Sequence, residues 1–513
     1  MQLAELPTAR TSLLDNLGRI RREVGPVTPQ LSDRLADHMR IRRGEVAEVV
    51  SFYSFLTVPL DSLRVCTGPV CACLGGHGLL ALAQELAPDG LPVVEAACLG
   101  HCDLAPVGTR GDTVLPGLSR EVLEGALAGA APPPVTRSTN DGPSLGLSRP
   151  DEPADPPRLP PDRVVAELEA SGLVGLGGAG FPTWRKWEAV RREPGPRVVI
   201  VNADEGEPGT IKDRYIMELR PGLLLEGLLV AMEFAEAERG YVYLREEYAT
   251  ARSSLLEAIA ALGDLGGRTI ELVVGAGSYV CGEETAMLES MEGRRGMPRL
   301  RPPFPAQRGY LGLPTLIDNV ETLAHVPAIL RNGGAWFAGL GRRGAPGVRL
   351  WSLSGAVARP GCYEAPNGIT LRELIDEHGG GATEELGAIV PGGAASGIVP
   401  AAALDAPLTR DGLAEWGASV GSAAVQVFPA SYSPLELLTE TMRFFAEESC
   451  QKCTPCRIGT RGLHHLSAGR LSFSGDELDA WLEALEQASI CGLGQGAPIP
   501  VRAVRRHWPE LLP

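Results

Sequence analysis

Cys450, Cys453 and Cys456 stand at strict three-residue intervals in "ESCQKCTPCRIG", and a fourth thiol, Cys491, follows one helical segment later in "SICGLG". Short loops can wrap three corners of a cube while a distant element supplies the fourth thiolate, so this spacing suits a [4Fe–4S] cluster. Zinc sites more usually pair two C-x2-C units across a long gap. Burial as small core residues is the other use of cysteine, and a polar loop stiffened by Pro455 is a poor place for three of them. A second set pairs Cys66 with Cys71 (C-x4-C) and Cys98 with Cys102 (C-x3-C). Two pairs on two loops match a [2Fe–2S] rhomb, in which each iron takes two thiolates. Cys73, in "CAC", is an alternative to Cys71, and zinc held by four cysteines is the competing occupant. His77 and His101 lie close enough in sequence for a site of two histidines and two cysteines. Four cysteines suffice without them, and both read as bystanders. Cys281 and Cys362 are isolated and read as structural.

Three further stretches combine glycine with acids or aromatics: "GLGGAGFPTWRKW" (Gly175–Trp187), "NADEGEPG" (Asn202–Gly209) and "GSYVCGEE" (Gly277–Glu284). Glycines let backbone N–H groups approach a phosphate or a flat ring closely. One such loop is an ordinary turn; three at strand ends of one sheet more often surround a ligand.

The elements that must position these residues follow from periodicity. Residues 1–55 read as helical. "SLRVCTGPVC" and "LPVVEAACLGHC" read as strands running into cysteine loops, with the helix "GHGLLALAQELA" between them. Residues 131–160 contain nine prolines and almost no large apolar residue, the composition of a semi-extended linker. Beyond it, "RVVIVNADEGEPGT" and "ELVVGAGSYVCGEETA" are apolar strands ending in Gly- and acid-rich turns and alternate with helices, the pattern of a parallel α/β sheet. Residues 346–430 carry short strands of a small mixed β domain. From Ser433 the pattern is helical, with the cysteines at the connections. The expected domains are therefore 1–130, a linker at 131–160, then 161–345, 346–430 and 431–513.

The bulk properties agree. A chain of 513 residues is too long for one core. A net charge of −16 argues against nucleic acid or an anionic membrane as the main partner. No run of about 18 apolar residues suggests a membrane span. The first residues hold no uninterrupted apolar stretch of the signal-peptide kind, so eleven cysteines point to metal rather than disulfides. The expected compartment is the cytoplasm.

The long runs "GLGGAGFPTWRKW", "VNADEGEPGTIKDR", "GAGSYVCGEETAMLESMEGRRGMPRLRPPFPA", "PTLIDNVETLAHV" and "ESCQKCTPCRIG" closely resemble the flavin-bearing, NADH-binding subunit of respiratory complex I. They also resemble its equivalents in NAD-linked hydrogenases and molybdenum formate dehydrogenases. The resemblance runs from about Gly172 to the C terminus. "LSGAVARPGCYEAPNGITLRELI" is similar to the β-grasp domain of that family, and residues 1–130 to the thioredoxin-like [2Fe–2S] subunit that partners it. The resemblance thus implies an α/β multidomain protein: a thioredoxin-like domain, a Rossmann-like FMN/NADH domain, a β-grasp domain and a C-terminal helical bundle with an iron–sulfur cluster. The fusion, together with the ending "SICGLGQGAPIPV", looks most like the β subunits of soluble NAD-dependent formate dehydrogenases.

The resemblance implies FMN against Gly175, Gly177, Gly178, Asn202, Asp204, Glu205, Gly282, Glu283, Asn319 and Thr322. It implies NADH stacked on the flavin, with Phe181, Lys186, Glu207, Tyr279, Glu284 and Phe304 around it. Glu284 is implied near the adenosine ribose, with helix capping as its alternative role. No protein acid or base is expected, because the chemistry belongs to the cofactors. The implied partner is a catalytic subunit with molybdopterin and iron–sulfur clusters, alongside a further small [2Fe–2S] subunit. Input of NADH to complex I, reduction of NAD by a hydrogenase and a standalone diaphorase are the other readings. The chain departs from the family where Val174 and Leu176 replace two arginines that many relatives carry, where Asp318 replaces Asn and where Arg301 replaces Lys.

Overall fold

The computed structural model describes residues 3–151 and 155–513, and its strands form three separate sheets. The first contains β1 (Leu63–Cys66), β2 (Val93–Ala96), β3 (Gly108–Arg110) and β4 (Thr113–Leu115) in the order β2-β1-β3-β4. β1 and β2 are parallel and joined through the Gly76–Leu86 helix, while β3 and β4 form an antiparallel hairpin on the other side of β1. Both cysteine pairs sit where these strands end: Cys66 closes β1, and Cys98 follows β2.

The second sheet is parallel throughout, with β5 (Val198–Ala203), β6 (Arg239–Leu244), β7 (Thr269–Val274) and β8 (Thr315–Asn319) in the order β7-β6-β5-β8. The chain runs from β5 outward to β6 and β7, then returns to add β8 on the opposite side. The carboxyl ends of β5 and β8 therefore flank a topological switch point, where open α/β sheets bind their ligands.

A parallel sheet needs both faces covered. Val199 and Val201 of β5 pack among Trp187, Leu224 and Leu228 on one face. Val198 and Ile200 pack among Leu13, Leu17, Ile20, Met287 and Leu288 on the other. The helices Leu13–Glu23, Pro29–Met39 and Arg43–Phe52 thus share a core with the second sheet, although the sequence groups them with the first.

The third sheet is mixed: β9 (Val348–Gly355), β10 (Gly361–Pro366), β11 (Leu386–Val390), β12 (Val399–Pro400) and β13 (Ala424–Pro429), in the order β10-β9-β13-β11-β12 with β9 and β13 parallel. The helices Pro434–Glu447, Thr454–Ser467, Gly475–Ala488, Gly492–Gly496 and Pro498–His507 complete the chain. Ser433 and Ser474 start two of them with reciprocal Ser/Glu caps.

The proline-rich segment is anchored rather than a free spacer; its residues Glu152–Ala154 lie outside the described ones. Asn140 gives its amide to the Glu364 carbonyl and accepts the Glu364 N–H, each at 2.8 Å. The Glu364 carboxylate accepts the N–H groups of Ser144, Leu145 and Gly146 at 2.7, 2.9 and 3.1 Å. Asp151 accepts Gly222 N–H at 2.8 Å at the start of the Pro221–Ala235 helix. These bonds use backbone and short polar side chains, so they leave no apolar periodicity in the sequence.

Candidate functional site

The switch point gathers the three glycine-bearing loops. Asn202, at the end of β5, donates to the Gly282 carbonyl at 2.8 Å and accepts Asp204 N–H at 3.2 Å. Asn319, paired with Asn202 in the β5–β8 register, caps the Val320–Asn332 helix and donates to Asp213 at 2.7 Å. The glycine loop reaches the same place: Leu176 N–H donates to Thr322 Oγ1 at 2.9 Å, and a Cβ on Gly177 would stand 3.4 Å from the Asn319 side chain. Gly178 and Gly180 hold φ of 118° and 64°, a conformation that favours glycine. Gly175 accepts Gly180 N–H, and residues 177–181 remain exposed. Val174 pairs with Pro182 in an isolated backbone bridge and packs against the core in which Leu176 is buried, so both positions anchor the loop.

The acids divide by role. Burial pushes the Asp204 carboxyl well above its ordinary range, and its Oδ2 has no partner. The Glu205 carboxylate is turned away from the glycine loop and accepts Asp213 N–H, Arg214 N–H and Tyr248 O–H at 2.8, 3.0 and 2.9 Å. Only its backbone is left for a ligand at the switch point. Glu207 accepts the Tyr279 hydroxyl and, at 3.0 Å, Ala395 N–H; burial raises its pKa. Glu283 caps the Glu284–Met291 helix through Thr285 N–H and Ala286 N–H at 3.0 and 2.9 Å, and its Oε1 makes no hydrogen bond, with the Arg301 guanidinium 3.8 Å away. The capping role therefore falls to Glu283, and Glu284 instead meets Arg301 at 3.3 Å.

The remaining expected nucleotide contacts are placed as follows. Phe181 and Phe304 are 49% and 48% exposed, large surfaces for rings to leave in water, and the Arg301 guanidinium lies 6.0 Å from the Phe304 ring centroid. Lys186 is tied to the Ile317 carbonyl at 2.7 Å and to Asp318 at 3.3 Å, and Asp318 also accepts Trp187 Nε1–H at 2.7 Å. Aspartate at 318 thus supplies a countercharge for Lys186 that asparagine would not.

Cys66, Cys71, Cys98 and Cys102 are all buried. Their thiols shift one another's ionisation in the order Cys71, Cys66, Cys98, Cys102. Cys71 and burial hold the Cys66 thiol well above its ordinary pKa; Cys98 and burial do the same for Cys102. Four crowded thiols become thiolates when a metal centre neutralises them. Cys73 takes no part: it lines a cavity of about 370 Å³ with Glu384, Phe428 and Tyr432, on and beside the third sheet. His77 pairs with Glu440 at the surface, and His101 is a buried ring packed 6.0 Å from Tyr248 and held neutral by burial.

Cys450, Cys453, Cys456 and Cys491 share one cluster of packed side chains with Leu463, Leu485 and Leu493. Cys453 and Cys491 each stand immediately before a helix. Ser449 Oγ lies 3.3 Å from Cys456. Burial pushes the Cys456 thiol up to about 12. Among the described residues, no group of three or more His, Cys, Asp and Glu side chains converges as the ligand set of one metal ion.

Four family models match the chain: the Nuo51 FMN-binding domain over residues 168–328, the NADH-ubiquinone oxidoreductase-F iron–sulfur binding region over 436–512, the thioredoxin-like [2Fe–2S] ferredoxin over 1–130 and the SLBB domain over 352–394. The second NADH-quinone oxidoreductase F-subunit of Rhizobium meliloti (strain 1021) is 45% identical over 368 residues, which cover 68% of this chain and 87% of that protein. The chain belongs to the F-subunit family of NADH-quinone oxidoreductases. The F-subunit of Rhodobacter capsulatus is 41% identical over 373 residues, covering 68% of this chain and 86% of that protein. A chain of an NAD+-reducing [NiFe]-hydrogenase, solved in the H2-reduced state, superposes with a TM-score of 0.88 at 32% identity, covering 98% of this chain and 93% of that one.

As a member of this family the chain is an NAD-dependent oxidoreductase component that works with FMN, NAD, a [4Fe–4S] and a [2Fe–2S] cluster. The structure fits these groups: a glycine cradle that a Cβ would narrow, carboxylate oxygens on Asp204 and Glu283 without a hydrogen bond beside it, and free cysteines, of which Cys450, Cys453, Cys456 and Cys491 share one packed cluster. Among the described residues no helix is long and apolar enough to cross a membrane. Sequence reasoning missed Lys212, Asp213, Arg245 and Tyr248. Lys212 is wholly buried and pairs with Asp213 at 2.7 Å and Glu321 at 3.0 Å, which fixes Asn319 in turn. The run "TIKDR" carried the signal, as charges on a helix that has no outer face.

Proposed function

We propose that this protein exchanges hydride between NAD(H) and FMN, and single electrons with its clusters, as the diaphorase part of a soluble, cytoplasmic NAD-dependent formate dehydrogenase. The convergence of the loops 175–181, 202–209 and 277–284 at the β5–β8 switch point carries the flavin part of this reading. Bound FMN supplies the conversion between two-electron hydride chemistry and one-electron transfer.

The chain's own residues bind and orient. Gly175, Gly177 and Gly178 offer backbone N–H groups, Asn202, Asn319 and Thr322 fix the floor, and Gly282 and Glu283 close one side. Phe181 and Phe304 offer rings to the dinucleotide, Lys186, Glu207 and Tyr279 line its path, and Glu284 accepts its ribose hydroxyl. Cys66, Cys71, Cys98 and Cys102 hold the [2Fe–2S] cluster; Cys450, Cys453, Cys456 and Cys491 hold the [4Fe–4S] cluster. No side chain acts as acid or base.

The fusion of a thioredoxin-like module to a flavin- and NADH-binding body, and the terminal "SICGLGQGAPIPV", support formate as the distant substrate and a molybdopterin subunit as the partner. The superposition over 98% of the chain favours a hydrogenase diaphorase as the second reading. Purifying the native complex tests both. A molybdopterin subunit with formate-dependent NAD+ reduction supports the first reading, a nickel–iron subunit replaces it with the second, and membrane subunits replace both with complex I.

A further inference from the structure

The first sheet, the second sheet and the C-terminal helices meet around a cavity of about 260 Å³. Arg64 of β1 and Phe55 stand on one wall, Glu247 and Asp204 on another, and the end of the Pro434–Glu447 helix on a third. The glycine loop 175–181 does not line it among the described residues.

Most charges around this cavity are paired. Glu95 and Glu447 meet Arg443 at 2.9 and 3.1 Å. Glu448 accepts Tyr279 N–H at 3.1 Å. Arg245 pairs with Glu247 at 2.5 Å and donates to the Cys98 carbonyl at 3.1 Å. Arg64 is the exception. It is 6% exposed, and its Nη2 has no hydrogen-bond partner among the described residues. Its guanidinium lies 4.1 Å from the Phe55 ring centroid. Arg21 approaches the same ring at 5.6 Å, but Arg21 has Glu246 and the Val58 carbonyl, each at 2.9 Å. Phe55 cannot yield, because its ring fills the place of a Cβ on Gly277 and its N–H donates to the Ala276 carbonyl at 3.2 Å. A buried cation without a countercharge is costly, and an aromatic face offsets only part of that cost.

We propose that this cavity binds a small oxyanion that carries a proton, the chemistry shared by hydrogen phosphate and bicarbonate. The bare oxygens accept from Arg64, whose planar fork suits two of them. Glu247 Oε2 and Asp204 Oδ2 make no hydrogen bond and offer acceptors for the ligand's O–H. The same carboxylates repel an oxyanion with no proton to give, so sulfate is disfavoured. Arg64 belongs to the first sheet and Glu247 follows β6 of the second, so the anion ties one module to the other.

The test uses the full chain with FMN and both clusters loaded, in a zwitterionic buffer. Calorimetry follows phosphate, bicarbonate and sulfate in turn. Phosphate or bicarbonate should bind at one site per chain and raise the melting temperature, and whichever binds names the source. Sulfate should bind at least about tenfold more weakly, the loss of one hydrogen bond to a charged group. Arg64→Met keeps a stem on Phe55 and removes the charge. It should weaken binding by about tenfold to a hundredfold on the same reasoning, and melt no lower than the parent when phosphate and bicarbonate are absent. Glu247→Gln should keep phosphate binding and admit sulfate; it decides the question if the methionine variant does not assemble. The proposal is overturned if neither phosphate nor bicarbonate binds the parent, which leaves water as the occupant. Binding that Arg64→Met leaves unchanged overturns it too, as does sulfate binding to the parent as tightly as phosphate or a Glu247→Gln protein that still rejects sulfate. Flavin absorbance and cluster EPR, recorded on the same samples, keep these outcomes separate from the functional reading.

Discussion

Cys66, Cys71, Cys98 and Cys102 lie at a junction of two modules and are each 8% exposed or less, whereas Cys450 and Cys453 are only half-buried and stand beside the exposed Lys452, Arg457 and Ile458. The first set is surrounded by its own chain, with Gly209 and Arg245 reaching it from the flavin side. The second has one side on the surface. A centre with one side on the surface can approach another subunit more closely than one enclosed by its own chain. On this contrast the C-terminal site is expected to face the partner and the N-terminal site to work internally.

The largest effects come from removing one ligand at a time. Cys453→Ser should abolish a cubane EPR signal and electron transfer to the partner, while NADH-to-ferricyanide activity persists because flavin reduces ferricyanide directly. Full iron retention would refute the assignment. Cys71→Ser should lose the [2Fe–2S] signal and Cys73→Ser should keep it, since Cys73 lies in a different cavity. If partner reduction fails in Cys71→Ser as completely as in Cys453→Ser, the contrast between internal and outward sites collapses.

Asp103→Asn addresses the seal itself. It leaves the Arg214 guanidinium, wholly buried, without its closest carboxylate. Breaking such a pair costs about 3–5 kcal/mol, so the melting temperature should fall and the N-terminal cysteines should become accessible to alkylation in the metal-free protein. Cys450 and Cys453 should alkylate readily in both proteins. Equal reactivity of the two sets in the parent would remove the distinction.

On the open side, Lys452 of the cluster loop donates to the Pro298 carbonyl at 2.6 Å, at the start of the segment that carries Arg301 and Phe304. Glu284→Gln should raise NADPH oxidation by about one to two orders of magnitude, on the order of 1.4–2.7 kcal/mol at about 1.4 kcal/mol per tenfold. The carboxylate that repels a 2′-phosphate is lost, and Arg301 is freed to meet it. Adding Arg301→Leu should cancel the gain. Equal slowing with both cofactors and a lower melting temperature would make Glu284 structural. The smallest effect is expected from Arg457→Glu at the surface: about tenfold weaker partner association, or about 1.4 kcal/mol, stronger at low salt, with ferricyanide activity unchanged. No change in association would place the partner elsewhere.

The cysteine sets, the glycine loops and the parallel sheet were legible because each depends on local chemistry: ligand spacing, φ angles or a strand's apolar run. Contributions from distant residues were not. Nothing in "LLDNLGRIRRE" states that its apolar stripe covers Val198 and Ile200, because amphipathicity reveals a buried face but not its partner. The anchoring of Asn140 on Glu364 left only a polar, proline-rich signature. Glu205 was read with the ligand-facing acids because it sits in the same motif; its carboxylate turned inward because three unpaired donors, Asp213 N–H, Arg214 N–H and Tyr248 O–H, lay on that side. The helix cap falls to Glu283 and not to Glu284 because a one-residue difference decides which side chain reaches the first free N–H groups of the helix.

The anchored segment after the first module also sets a leash. The helix Arg120–Leu127 ends the module, and Arg137 is already fixed to Glu218 at 2.7 Å. Residues 128–136 between them can extend about 30–32 Å at about 3.3–3.6 Å per residue. If the junction around Asp103 ever opened, the module could retreat no farther than that, and its return would be a unimolecular event at millimolar effective concentration. Dilution, which separates subunits held only by their contacts, has no purchase on this one.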